Sequence, residues 1–139
     1  MATEFDSKKW GATLAIPFSK SNVTTGASNE DLGLLGAGTL FVAPAAGSII
    51  GITAYCAAIT AGTITLTPHK ASTEVATTGV PQPVLSSTQD TNGTYATVRP
   101  GAITFAAGDT LGISATSTTT LDPTNTLDVD AFLFIQLNP

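Results

Sequence analysis

The amino-acid sequence predicts an all-β protein, an antiparallel two-sheet sandwich of jelly-roll type with an extended N-terminal arm. Apolar residues recur at every second position in several short runs, the signature of half-buried strands. The runs are separated by turn chemistry at regular spacing, as in sandwiches and barrels. Helix signals are scarce. The one candidate is a short turn at Ser28-Asn29-Glu30-Asp31-Leu32, where Ser28 can cap and Asp31 falls at the third helical position.

Residues 1–38 hold most of the lysines and read as an arm that ends in an edge strand, with the sandwich occupying residues 39–139. In the arm Leu14, Ile16 and Phe18 alternate, and Pro17, which has no N–H to donate, restricts that strand to an edge. Trp10, the only tryptophan, precedes it beside a charged tip. It suits an interface anchor, because Trp is enriched at binding hot spots, and equally a plug for one end of the sandwich.

Further strands are expected at Thr39-Leu40-Phe41-Val42, from Ile49 to Ala58, and at Thr63-Ile64-Thr65-Leu66-Thr67. Tyr55 lies inside the apolar part of the second of these and is expected to be buried. Val84-Leu85-Ser86, Tyr95-Ala96-Thr97-Val98, Ile103-Thr104-Phe105 and the run from Thr110 to Thr116 follow. The last run is the strongest, with Leu127, Val129, Ala131, Leu133, Ile135 and Leu137 on one face. Its other face starts with Asp128 and Asp130 and continues as Phe132 and Phe134, so one end is wet and the other is expected to be covered. The joints carry Gly, Pro, Asn and Asp, of which Asn92-Gly93 is a strong tight-turn signal. About eight strands fit a jelly roll. An immunoglobulin-like sandwich is the rival, but its Cys–Trp–Cys framework is missing.

Five Lys and Arg against ten Asp and Glu give a net charge of -5, which argues against a nucleic-acid partner, since neutralising phosphates needs clustered cations. Only 11% of residues are charged, against about 25% in an average soluble domain. A surface of Thr, Ser, Asn and Gly leaves few ions to desolvate when a partner docks, which suits an assembly component. No apolar run reaches the roughly 20 residues of a membrane span, and the start shows no apolar signal segment. Cys56 stands alone in an apolar run and reads as a small buried hydrophobe.

The sequence carries no catalytic or cofactor motif: no nucleophile elbow, phosphate loop, dinucleotide fingerprint or metalloprotease pattern. His69, the only histidine, is expected at a strand end on the surface. Asp128 and Asp130 share one strand face at about 7 Å, but with no calcium-loop pattern and no aromatic sugar platform nearby they read as solvated strand ends. The expectation is therefore a non-enzymatic protein without cofactor or metal.

The segment Gly47-Ser48-Ile49-Ile50-Gly51-Ile52-Thr53-Ala54-Tyr55 with Gly62-Thr63-Ile64-Thr65-Leu66-Thr67, the hairpin Ile103-Thr104-Phe105-Ala106-Ala107-Gly108-Asp109-Thr110-Leu111-Gly112-Ile113, and the closing acidic-to-aromatic strand resemble the structural β-domains of tailed bacteriophages. The resemblance runs from about Thr39 to the C-terminus. It implies a head decoration, or cement, protein on the capsid exterior that binds the major capsid protein and associates with itself as a homotrimer. The absence of a repetitive shaft fits decoration better than a fibre. On this reading Trp10, Leu14, Ile16, Phe18, Phe132 and Phe134 form the partner interface, and the arm adds a strand to a neighbour. The competing expectation is a carbohydrate- or receptor-binding module of a fibre or tail, which needs exposed aromatics. Only Trp10, Tyr55 and Tyr95 are candidates for it.

Overall fold

A computed structural model describes residues 12–36, 40–70, 73–74, 80–88 and 93–138. Every regular element among them is a strand: β1 (Thr13–Val23), β2 (Glu30–Leu34), β3 (Phe41–Val42), β4 (Gly47–Cys56), β5 (Thr63–Lys70), β6 (Thr73–Glu74), β7 (Val84–Ser86), β8 (Gly93–Thr97), β9 (Ile103–Phe105), β10 (Thr110–Ser117) and β11 (Leu127–Leu137). The expected helical turn at Ser28–Leu32 is instead the entry to β2. Tertiary pairing decides that segment, because Glu30, Asp31 and Leu32 align with Ala115, Ser114 and Ile113 of β10.

All pairings are antiparallel, and the hydrogen-bonded order is β6-β5-β10-β2-β1-β11-β4-β8, with β3 on β10, β7 on β5 and β9 on β4. The ladder changes direction at β2, whose first three residues pair with β10 while Gly33 and Leu34 pair with Ser19 and Phe18 of β1. Beyond this joint the two halves fold over each other. β1 approaches β10, β4 approaches β5, and β7 comes beside β8, so the sheet is nearly closed.

The core lies between the halves. From one side come Ile16, Phe18, Ile49, Ile52, Cys56, Val129, Leu133 and Ile135, and from the other Leu32, Ile64, Leu66, Leu111, Ile113 and Ala115, all buried. The apolar face expected for β11 points into this core from Leu127 to Ile135. In β4 a bulge intervenes: Phe134 pairs with Gly51 and Ile135 with Ile49, leaving Ile50 as the extra residue. The bulge resets the alternation, so Ile49 and Ile52 both face inward. Cys56 follows in the same phase and is 1% exposed.

β1 corrects the expected organisation. It is not an edge strand of a separate arm, because it sits between β11 and β2 over residues whose main chain is paired inside the chain. Pro17 is tolerated there for a local reason. Its carbonyl accepts from Leu35 N at 3.1 Å, so its nitrogen points to the same side, where β2 has already run out into a turn. Ile16 and Phe18, expected at a partner interface, are core residues at 4% and 1% exposure and are unavailable to a neighbour. A second irregularity between Lys20 and Val23 places Asn22 at φ 53°, donates its N–H to Asp128 Oδ1 at 2.9 Å, and returns Val23 to the core.

The far side of β5 and β10 is also covered. Thr67, His69, Gly112 and Ser114 face away from the common core, yet all are buried. Leu40 lies over Gly112, where an added Cβ would stand 2.6 Å from Leu40 Cδ2. Gln82 Nε2 donates to Thr67 Oγ1 at 3.0 Å. His69 is thus not the surface residue expected from its place near a strand end: its Nε2 lies 2.7 Å from Ser114 Oγ inside the molecule.

Candidate interaction surface

The outward face of β11 and its neighbours carries the exposed apolar and aromatic side chains that the fold gathers on one side. Strand register sets out three adjoining rows. Pro17, Phe132, Thr53 and Tyr95 stand opposite one another across β1, β11, β4 and β8. On one side of this row run Ser19, Asp130, Tyr55 and Gly93, and on the other Ala15, Phe134, Gly51 and Thr97. Tyr95 is 73% exposed, Tyr55 53% and Phe132 44%. The Phe132 and Phe134 rings have centroids 6.5 Å apart with planes inclined by 43°, a tilted pair at a separation typical of interacting aromatic rings.

Three hollows surround this ring pair. One is lined by Ile50, Gly51, Ile52, Thr53, Tyr95, Ala96, Thr97 and Phe134, and its walls are almost wholly apolar. Gly51 opens it, since a Cβ there would come 3.1 Å from Ala96 O and 3.4 Å from Thr97 Cγ2. A second is bounded by Thr53, Ala54, Tyr55, Asp130 and Phe132, with Asp130 opposite Tyr55 and two residues before Phe132 on the same face. The third lies among Pro17, Ser19, Leu35, Asp130 and Phe132. Leu35, at φ 53° in the turn after β2, is 75% exposed and forms its rim. Exposed apolar groups gathered in one contiguous patch mark interaction sites, where single exposed hydrophobes do not.

Of the residues expected at an interface, Phe132 and Phe134 are brought together on this face. Leu14, 37% exposed, lies at the end of β1 on the core-facing side. Trp10 lies outside the described residues. Tyr55, Pro17 and Leu35 belong to the surface and were not expected there, while Tyr95, a candidate for the exposed aromatics of a glycan-binding module, joins them. Tyr55 corrects its assignment to the interior for a specific reason. Counting by two from the core residue Ile49 puts Tyr55 inside, and the extra residue Ile50 moves it outside.

Burial pushes the Cys56 thiol up to about 11 by desolvating its thiolate. Asp122 accepts from Thr60, and Asn125 exchanges hydrogen bonds with Thr25, its N–H donating to Thr25 Oγ1 at 3.2 Å and its Oδ1 accepting from Thr25 N at 2.7 Å. These contacts tie the loop before β11 to its neighbours. Among the described residues no three His, Cys, Asp or Glu side chains converge as a metal site would need.

No protein-family model matches the chain, and no curated protein matches it either. Among solved structures the fold is similar to a chain of the "Cyanophage Pam1 capsid asymmetric unit", with a TM-score of 0.53 and 14% sequence identity over 92% of this chain and 86% of that one. At that identity the likeness is one of fold.

Proposed function

We propose that this protein is a non-catalytic structural component of a bacteriophage virion that decorates the capsid exterior, binding the major capsid protein and further copies of itself. The observation that carries this reading is the outward face of β1, β11, β4 and β8, where exposed aromatic side chains adjoin hollows. The fold shared with a chain of a phage capsid asymmetric unit supports the setting. The jelly-roll reading draws support from the order of strands. β1, β4, β8 and β11 lie in one half of the ladder and β2, β5, β7 and β10 in the other, the alternation that two Greek keys produce.

A face of this kind binds by excluding water from its aromatic centre while polar groups at the rim set orientation. Repetition over a capsid lattice multiplies modest contacts into avidity. The test is cosedimentation of the purified protein with capsid shells assembled without it. Saturable binding that Phe132→Ser abolishes is expected, and shells that never take up the folded protein would refute decoration.

The exposure of Tyr55 and Tyr95 favours one second reading, a glycan-binding module, because two rings on one face can serve as a sugar platform. The nearly all-apolar lining beside Gly51 fits a protein side chain better than a hydroxyl-rich sugar. A glycan array on which the protein binds, and loses binding on Tyr95→Ala, would reverse that preference.

A further inference from the structure

Asp130 stands in the hollow bounded by Tyr55, Phe132 and Thr53, and among the described residues its carboxylate has no hydrogen-bond or ion-pair partner. A carboxylate beside two aromatic side chains is the complement of a guanidinium, which can pair with the acid and stack on a ring at once. The described cations are Lys20, Lys70 and Arg99. Lys20 Nζ is 3.9 Å from Glu30 Oε1, and Lys70 Nζ donates to Thr104 O at 3.0 Å. Arg99, the only arginine of the chain, has no such partner among the described residues.

Arg99 is displayed by a defined turn. Its carbonyl accepts from Ala102 N at 3.1 Å, and Gly101 takes φ 88°. Continuing the alternation of Tyr95 and Thr97 brings Arg99 to the same outward side of the sheet. The two groups cannot meet within one chain. Asp130 is opposite Tyr55, whereas Val98, one residue before Arg99, donates to Ile50. Five or six residues along the strands and two strands across separate them by roughly 20 Å.

We infer that Arg99 of one copy docks in the Asp130 hollow of a second copy, so that the aromatic face is joined head to tail and copies can close into a ring. The inference rests on the self-association in the reading above and names its contact. A heterologous contact of this type joins two different patches of the same molecule, and it closes when the rotation between copies allows. It also explains how an acidic chain associates through a face that holds Asp130: the like charges stay apart and each meets a cation. As the docked copy covers Tyr55 and Phe132 the pair leaves water, which raises its worth above that of an exposed salt bridge.

The test is a charge swap read as mass by light scattering and sedimentation equilibrium over a range of concentrations, on the full chain. Wild type is expected to associate, and Arg99→Asp and Asp130→Arg each to weaken association by at least about tenfold. The double variant is expected to recover most of it. Arg99→Lys, which keeps charge but loses the planar fork, is expected to fall between wild type and Arg99→Asp. A monomeric wild type, unaffected single variants, or a swap without rescue would each overturn the inference. Cosedimentation with capsid shells on the same samples separates the two proposals. Loss of particle binding on Asp130→Arg alone, in a protein whose mass Arg99→Asp leaves unchanged, would give the hollow to the capsid instead.

Discussion

The Nε2 of His69 lies 2.7 Å from the hydroxyl oxygen of Ser114, with His69 9% exposed and Ser114 fully buried. The pair lies on the neighbouring strands β5 and β10, on the side that faces away from the common core, under the cover of Leu40 and Gln82. A polar pair shut in this way must satisfy itself, since either partner alone would be a buried group without a hydrogen bond.

Ser114→Ala is therefore expected to destabilise the fold by about 1–3 kcal/mol, the range for leaving one buried polar atom unsatisfied. The urea midpoint at neutral pH measures it. A midpoint within error of wild type would mean that the imidazole finds another partner.

Cys56 is expected to be inert to disulfide reagents in the folded protein at pH 8 and to react fully in denaturant. Its thiol is pushed up to about 11 from 9.0 by burial. The folded state therefore holds the proton more tightly than the unfolded chain. The resulting stability is present in full below pH 9 and declines as pH rises through about 11, the direction required when a folded-state value is raised. Stability that rises between pH 9 and 11 in wild type relative to Cys56→Ala would contradict this.

Two phenylalanines separate folding from binding. Phe18→Ala removes a ring that is 1% exposed and is expected to cost about 3–5 kcal/mol. Phe132→Ala truncates a ring 44% exposed and is expected to cost about 1 kcal/mol or less while abolishing particle binding. Thermal unfolding and cosedimentation, run side by side, check both halves. Equal losses of stability would show that Phe132 serves the fold.

Gly62 and Gly108 both take positive φ, at 76° and 87°, but only one of them is crowded. A Cβ on Gly62 would meet Leu121 backbone atoms at 2.6 Å, whereas one on Gly108 meets nothing within 4 Å. Gly108→Ala is expected to cost about 1–2 kcal/mol, the conformational term alone, and Gly62→Ala distinctly more. Indistinguishable unfolding midpoints would mean that the turn at Gly62 relaxes at no cost.

Much of the fold was legible because strand alternation is a local property. The inward face of β11 from Leu127 to Ile135 and the strands Val84–Ser86 and Ile103–Phe105 follow directly from the order of residues. The pair Phe132 and Phe134 was legible in the same way, as apolar groups on the wrong side of an otherwise polar face. What escaped depends on partners distant in the chain. β2 looked like a helical start because Ser28 and Asp31 have cap spacing, and only the ladder with β10 makes it a strand.

By itself the sequence determined the class of the fold and the phase of the strongest strands, since side-chain period and residue type need no neighbours to be read. The tertiary structure decided which strand borders which, and with it that β1 is internal, that His69 is buried and that Tyr55 is exposed. Each of these turns on a register or a bulge. One inserted residue, Ile50, exchanges the two faces of everything after it in β4, because the side-chain period of a strand is two.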